Sequence, residues 1–281
     1  MISVLIPAHN EKLVIARLLE GLLADARPGE FDIVVVCNGC TDRTAEIAAS
    51  FSDVRVVETP LPSKAAALRL GDATARGFPR VYVDADVQMG TKDLKALSAA
   101  VEGTAVLAAG PRRSLSMEGA SWLVRWYYSV WLRLPAVRSG LFGRGAIAVS
   151  QLGHARIAAL PEVLSDDLAM SASFAQGERR IVADASVTIY PPRGWGDLLR
   201  RRVRAMTGVA QLQSVPGLGL SEARTSFKDL VWILAKEPSL AAPALLFSGT
   251  AVLSRALANR RVRRGDFSTW LRDESSRPPP T

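Results

Sequence analysis

Two cysteines and two histidines are all that the 281 residues contain, and that scarcity removes several chemistries at once. Cys37 and Cys40 are too few to staple a chain of this size, and their number fits a reducing compartment. They cannot complete a four-ligand zinc site by themselves. Their CxxC spacing suits a redox pair only when a thiol begins a helix in a thioredoxin-like unit, so packed, incidental thiols are expected. His154 has no ligand partner at a telling spacing and reads as a surface or packing histidine. No GxGxxG follows the first apolar segment, which removes the usual phosphate turn of a dinucleotide-binding domain, and no GxxxxGK[ST] points to an NTPase. Residues 1–6 run straight into a strand pattern with neither a basic n-region nor a small-residue cleavage site, so a cytoplasmic location is expected.

What the chain does have is positive charge. The net charge is +8 and the isoelectric point near 10, which suggests an acidic partner such as a nucleotide, nucleic acid or anionic lipid. The arginines crowd the second half, at Arg200, Arg201, Arg202 and Arg204 and again between residues 255 and 264, whereas the first 110 residues are closer to balance.

Those first 110 residues alternate strand and helix patterns. Strands are expected at 2–6, 32–36, 54–58, 80–84 and 104–109, with helices at about 11–24, 42–51, 63–76 and 91–102. The alternation predicts an α/β fold with a mostly parallel sheet covered on both faces. Thr41 or Asp42 can cap the second helix, with Glu46 in its first turns, and Ser63 can cap the third. Four polar segments then follow successive strands: Pro7-Ala8-His9-Asn10-Glu11, the turn from Cys37 to Thr44, Lys64 opening a helix, and Asp84-Ala85-Asp86. In an open α/β sheet such loops converge on one crevice beyond the strand ends. Period-two geometry sends Asp84 and Asp86 to one side of their strand, where the two carboxylates can share one hard cation, Mg²⁺ or Mn²⁺. An acidic turn after a strand is the plainer alternative.

These segments, in this order, resemble the nucleotide-sugar-binding half of family 2 glycosyltransferases of the GT-A fold, over residues 1 to about 210. The resemblance implies a Rossmann-like, mostly parallel sheet flanked by helices. The first loop is similar to the family's P-x-x-N-E and implies donor contacts from Pro7, Ala8, Asn10 and Glu11. The segment 37–44 is similar to D-D-G-S-x-D-x-T, with Asn38 where an acid commonly meets the base. Lys64 falls in G-K-x-x-A-L-N, with Ser63 and Arg69 for Gly and Asn. Asp84, Ala85 and Asp86 fit the DxD, which implies a metal-bridged diphosphate.

Further along, residues 118–134 show helical periodicity through Trp122, Trp126, Tyr127 and Val130, read either as a core-facing helix or as an interfacial helix and acceptor wall that would present Trp126. Residues 139–146 form a glycine-rich turn entering a short strand; similarity to the family's acceptor-side loop implies roles for Gly143 and Arg144. Leu164-Ser165-Asp166-Asp167 reads by itself as a helix N-cap. By resemblance it is the E-D motif, implying Asp167 as catalytic base, with Asp166 as the other candidate. A strand is expected at 181–190 and a basic helix after Pro191-Pro192-Arg193-Gly194-Trp195. That helix reads as a solvated face, or, by similarity to Q-x-x-R-W, as a diphosphate clamp of Arg201 and Arg204. Ala205 replaces the Trp, which implies a single transfer rather than processive synthesis.

Beyond about residue 222 a helix is expected at 225–236. Residues 238–254 carry no charge, and Pro238, Pro243 and Gly249 interrupt them, so the expectation is a buried or membrane-surface helical hairpin, with a true span as the alternative. The basic run from Arg260 to Arg264 suits anionic headgroups on the cytoplasmic side. The expected organisation is a glycosyltransferase domain at 1–215 (nucleotide-sugar half 1–110, acceptor and catalytic half 111–215), a helical, membrane-associated appendage at 216–272 and a disordered tail at 273–281.

The function so implied is inverting transfer of one sugar from a nucleotide diphosphate donor, UDP favoured, to a hydroxyl of a small-molecule or lipid-linked acceptor, with Mg²⁺ or Mn²⁺ on Asp86 and Asp84. The alternatives are a sugar-nucleotide pyrophosphorylase, whose glycine-rich basic N-terminal loop is missing, and a non-catalytic protein that binds nucleotide sugar or membrane. Nucleic-acid binding would explain the charge but none of the ordered motifs, so no nucleic-acid partner is expected.

Overall fold

The computed structural model describes residues 1–160, 166–213, 225–265 and Ser275, and these divide into two compact units. The first unit takes residues 1–115, 144–161 and 174–189; the second takes 116–143, 162–173 and 190–281.

In the first unit, among the described residues, β1 (Ile2–Ala8), β2 (Phe31–Asn38), β3 (Val54–Thr59), β4 (Arg80–Val83), β5 (Ala108–Leu115), β6 (Ala146–Val149) and β7 (Arg179–Ile189) form one sheet in the order β3-β2-β1-β4-β6-β5-β7. β1, β2, β3 and β4 are parallel neighbours, as the alternation predicted. Every residue of β2 is buried, as expected of a β-branched strand with both faces covered. β6 is the exception: it runs antiparallel to both β4 and β5. Its start therefore lies at the finish of β4, with Val83 opposite Ala146.

The helices follow from apolar spacing and caps. α1 (Ile15–Leu23) buries Ile15, Leu18, Leu19 and Leu22, an i, i+3, i+4, i+7 stripe. It begins four residues later than the expected 11, because the chain spends residues 12–14 in a turn. α2 (Thr44–Ala49) has Arg43 as its N-cap residue, without a side-chain cap. Asp42 still contributes as expected, since its Oδ1 accepts the Thr44 N–H at 3.0 Å. α3 (Lys64–Thr74) is capped by Ser63, whose Oγ accepts the Ala66 N–H at 3.2 Å. α4 (Thr91–Val101) opens with a device not foreseen: buried Asp93 accepts from Gly90 N at 2.9 Å and from Ser186 N in β7 at 2.8 Å. The strand expected at 104–109 begins later and runs further, through Pro111, where the pairing with β7 shifts register between Pro111 and Arg112. Proline cannot donate to a ladder, and a bulge absorbs the mismatch. α7 (Gln151–Ala158) completes this unit.

The second unit is helical among the described residues: α5 (Trp122–Trp131), α6 (Pro135–Ser139), α8 (Asp166–Ala172), α9 (Trp195–Leu212), α10 (Phe227–Lys236) and α11 (Ala241–Arg263). The hairpin expected at 238–254 is not formed. A 3-10 turn at Pro238–Leu240 leads into α11, one continuous helix. The reason is positional: Pro243 is the third helical residue, where its missing N–H has no intrahelical partner to lose, and Gly249 costs only about 1 kcal/mol relative to Ala. Buried Ala244, Phe247, Thr250, Ser254 and Ala258 repay that cost. Phe247 lies 5.0 Å from the Tyr127 ring, and Trp195 Nε1 donates to Thr250 Oγ1 at 3.3 Å. Among the described residues Pro238–Arg263 is the one helix long and apolar enough to cross a membrane, with 33% of its apolar window buried. The tail expected to be disordered lies outside the described residues except for Ser275.

Candidate functional site

Parallel pairing puts the carboxyl ends of β1, β2, β3 and β4 at one edge of the first unit, and there the four polar segments meet. The first and second loops are laced together. Asn38 Nδ2 donates to Ala8 O at 3.0 Å, and His9 Nδ1 approaches Asn38 O at 2.5 Å. Thr41 N–H donates to Asn10 Oδ1 at 2.7 Å, and Glu11 N–H to Thr44 Oγ1 at 2.8 Å. Asn10 holds a left-handed backbone, φ 55°, a conformation asparagine tolerates better than most residues. Glu11 and Asn38 are buried. Asn38 Oδ1 is buried without a hydrogen-bond partner, a costly state for a carbonyl.

The thiols belong to this lacing. Cys40 Sγ donates to Ala8 O and accepts the Asn10 N–H, each at 3.4 Å. A hydrogen bond from Cys37 favours the Cys40 thiolate and brings its pKa down to about 6. The same bond, with burial, pushes Cys37 up. Both thiols are free and packed into the loop contacts, Cys37 buried and Cys40 partly so.

Asp84 and Asp86 lie just past β4, which ends at Val83 rather than at the expected residue 84. The period-two argument made inside a strand thus has to act through a turn. It survives in the burial pattern: half-buried Asp84 and Asp86 alternate with buried Ala85 and Val87. Asp84 N–H donates to Gly145 O at 2.8 Å, so the antiparallel entry of β6 pins the turn. Lys64 Nζ sits 2.7 Å from Asp84 Oδ1, with side chains 26% and 39% exposed. A cation in the first turn of α3 opposes the helix dipole, and Asp84 offsets that repulsion. Arg17 Nη2 reaches Asp86 O at 3.3 Å. No cluster of three His, Cys, Asp or Glu suited to a metal exists among the described residues. Two carboxylates fit a hard cation that takes its remaining ligands from water and phosphate oxygens, the usual Mg²⁺ and Mn²⁺ arrangement.

Arg144 is 3% exposed, with Nη1 donating to Pro111 O at 2.7 Å. Burial brings its pKa down to about 10. The structure therefore encloses in the first unit a guanidinium that the sequence offered as an acceptor contact. His154 is a packing residue, as expected. Its Nε2 lies 2.6 Å from Arg80 Nη1 and 3.1 Å from Asp72 Oδ1, its ring is edge-on to Phe78, and desolvation lowers its pKa.

Within the second unit the glycine loop and the acidic pair come together. Gly143 N–H donates to Asp167 Oδ2 at 2.7 Å, while Asp167 Oδ1 accepts the Leu168 N–H at 2.8 Å. Asp166 and Asp167 both occupy the first described turn of α8; of the two residues that could cap it, Ser165 lies outside the described residues and Asp166 is the first residue of the helix. Neither sequence spacing nor periodicity linked Gly143 to Asp167, which are 24 residues apart. α5 is core-facing through buried Val124, Tyr127, Tyr128 and Val130, whereas Trp122 and Trp126 stay exposed in an edge-on pair 4.9 Å apart. On α9, Arg201 is exposed and Arg204 half-buried, on one helical face by their i, i+3 spacing.

Residues 3–148, more than half of the chain, match the family model described as glycosyl transferase family 2. A Bacillus subtilis (strain 168) protein named "Probable glycosyltransferase YdaM" is 36% identical over 94 residues, covering 30% of this chain and 22% of that protein. The chain thus matches about a fifth of that relative's length. The mannosyltransferase PcManGT from Pyrobaculum calidifontis, solved with GDP-Man and Mn²⁺, is similar at TM-score 0.58 and 21% identity, over 94% of this chain and 79% of that one. Glucosyl-3-phosphoglycerate synthase from Mycobacterium tuberculosis, solved with Mn²⁺, UDP-glucose and phosphoglyceric acid, is similar at TM-score 0.56 and 19% identity, over 79% of each chain.

Proposed function

The chain belongs to glycosyl transferase family 2, and from that premise we propose that it transfers a single sugar from a nucleotide diphosphate donor to an acceptor hydroxyl with inversion. The observation that carries this reading is the meeting of four polar segments at one sheet edge, cross-linked from Asn38 to Ala8, Asn10 to Thr41 and Lys64 to Asp84. Loops assembled this way beyond parallel strand ends suit a nucleotide diphosphate.

Asn38 would stand on the base side of the donor, and UDP is the favoured donor nucleotide. Pro7, Ala8 and Glu11 would line the same part of the donor. Mg²⁺ or Mn²⁺, bound through Asp86 and Asp84, would supply positive charge against the diphosphate as it leaves. Arg201 and Arg204 would add bidentate contacts to diphosphate oxygens. Asp167 would take the proton from the acceptor hydroxyl as its oxygen bonds to the anomeric carbon from the face opposite the leaving group; the bond from that carbon to the diphosphate oxygen breaks and the nucleoside diphosphate departs. Gly143 N–H, by occupying Asp167 Oδ2, would position the carboxylate, and Trp126 offers an apolar face for a sugar or lipid. Arg144 would support the acceptor loop from within rather than touch the acceptor. The exposed Leu245, Val252 and Leu253 of α11, with Arg260, Arg261 and Arg263 in its last turn, support peripheral association with an anionic membrane, where a lipid-linked acceptor would be met.

Calorimetric titration with UDP, GDP and CDP, each with and without Mn²⁺, tests the reading. Metal-dependent binding of UDP is expected, followed by product formation when UDP-sugars are supplied with acceptors. No nucleotide binding would refute it, and binding without transfer to any acceptor would leave only a nucleotide-sugar-binding protein.

A further inference from the structure

The second unit contains a cavity that the donor-binding machinery does not use. It is a half-open pocket of about 790 Å³ bordered by α8, α9, α10 and α11, within the range of about 300–1,000 Å³ typical of small-molecule sites. Its walls are mainly apolar, with Met206, Val209, Leu230 and Ala251 among them. Two arginines, Arg202 and Arg255, also line it, and among the described residues no carboxylate does.

Arg202 is the informative one. Among the described residues its Nε is buried without a hydrogen-bond partner, and the guanidinium meets the Met206 sulfur at 4.0 Å and the Tyr127 ring at 6.0 Å. A half-buried guanidinium without an anion is unfavourable unless a ligand supplies one. Apolar walls with an unmatched positive charge are complementary to an amphipathic anion. The cavity also reaches Leu168, the residue after Asp167.

We propose that this cavity holds the acceptor, and that the acceptor is a single-chain lipid carrying a phosphate-class group and, apart from it, the hydroxyl that takes the sugar, its chain lying among α9, α10 and α11 and its anion at Arg202 and Arg255. This rests on the reading of Asp167 as the base, beside which Leu168 brings the cavity wall. It names the acceptor class that the reaction leaves open.

The test is calorimetric titration of the full chain with hexyl, octyl and decyl phosphate below their micellar concentrations, beside decanol and inorganic phosphate. Affinity should rise roughly three- to fourfold per added methylene. Arg202→Gln should weaken decyl phosphate by about 10- to 100-fold while leaving decanol unchanged. Ala251→Trp, which fills the cavity, should abolish chain-length dependence, with circular dichroism and thermal unfolding confirming that the variant folds. Equal affinity across the series, inorganic phosphate binding as tightly as decyl phosphate, or indifference to both substitutions would overturn the proposal. Failure of every probe to bind, whatever its chain length, also overturns it. UDP with Mn²⁺ titrated in the same samples separates the two readings: its failure would sink the donor assignment without touching the alkyl phosphate result.

Discussion

Replacing Gly145 by alanine should damage the acidic turn by pushing on Val87. Gly145 has φ +67°, and a Cβ there would lie 2.4 Å from Val87 Cγ1 and 3.5 Å from Val87 Cβ. Val87 is buried, one residue past Asp86, and Gly145 O holds the Asp84 N–H. The left-handed backbone costs a residue with a Cβ about 1–2 kcal/mol, and forcing a methyl into a filled core about 1–3 kcal/mol more. Gly145→Ala should therefore destabilise by about 2–5 kcal/mol in urea denaturation. Gly103→Ala is the control, with φ +62° and nothing within 4 Å of the added Cβ, so it should show the backbone part alone, about 1–2 kcal/mol. The difference isolates the push on Val87, which should also weaken Mn²⁺-dependent nucleotide binding in the Gly145 variant only. Adding Val87→Ala should relieve the clash, appearing as a favourable coupling in a double-mutant cycle. Equal destabilisation by the two glycine substitutions, with nucleotide affinity intact, would refute the claim that β6 props the turn.

Three further outcomes are expected. Asp167→Asn should cut transfer by about 10²- to 10⁴-fold with nucleotide affinity unchanged by calorimetry; full activity would remove Asp167 from the role of base and turn attention to Asp166. Asp32 is buried, which raises its pKa, but the Arg76 N–H, Arg55 and Ser3 outweigh burial and hold it below the usual carboxylate range. A lowered folded pKa means stability fully present above the unfolded value of about 3.9 and lost as pH falls through the folded one, so Asp32→Asn should flatten the acid limb of a stability–pH curve. At neutral pH it should cost about 2–3 kcal/mol, less than a fully buried pair, because the Arg55 side chain is 33% exposed. Iodoacetamide should modify Cys40 first, with a rate midpoint near pH 6, and spare buried Cys37; peptide mass spectrometry showing a midpoint near 8.5, the ordinary thiol value, would contradict the thiol pairing.

Much of the first unit was legible in the chain itself, because period-two and 3.6-residue patterns and caps are local. The buried run of β2, the Ile15 to Leu22 stripe and the Ser63 cap are set within a few residues of sequence, and parallel pairing then carries all four polar loops to one edge. What only the tertiary structure decided lies in contacts far apart along the chain. The antiparallel insertion of β6 brings Gly145 to Asp84, Gly143 holds Asp167 across 24 residues, Asp93 reaches Ser186 across 93, and Arg144 turns to the Pro111 carbonyl inside. The prolines of 238–254 read as breaks, yet their positions in first turns, and the packing of Phe247 and Thr250, make α11 continuous. Local propensity is a weak preference in each of these cases, and burial of a large apolar face or of a polar group with its partner outweighs it.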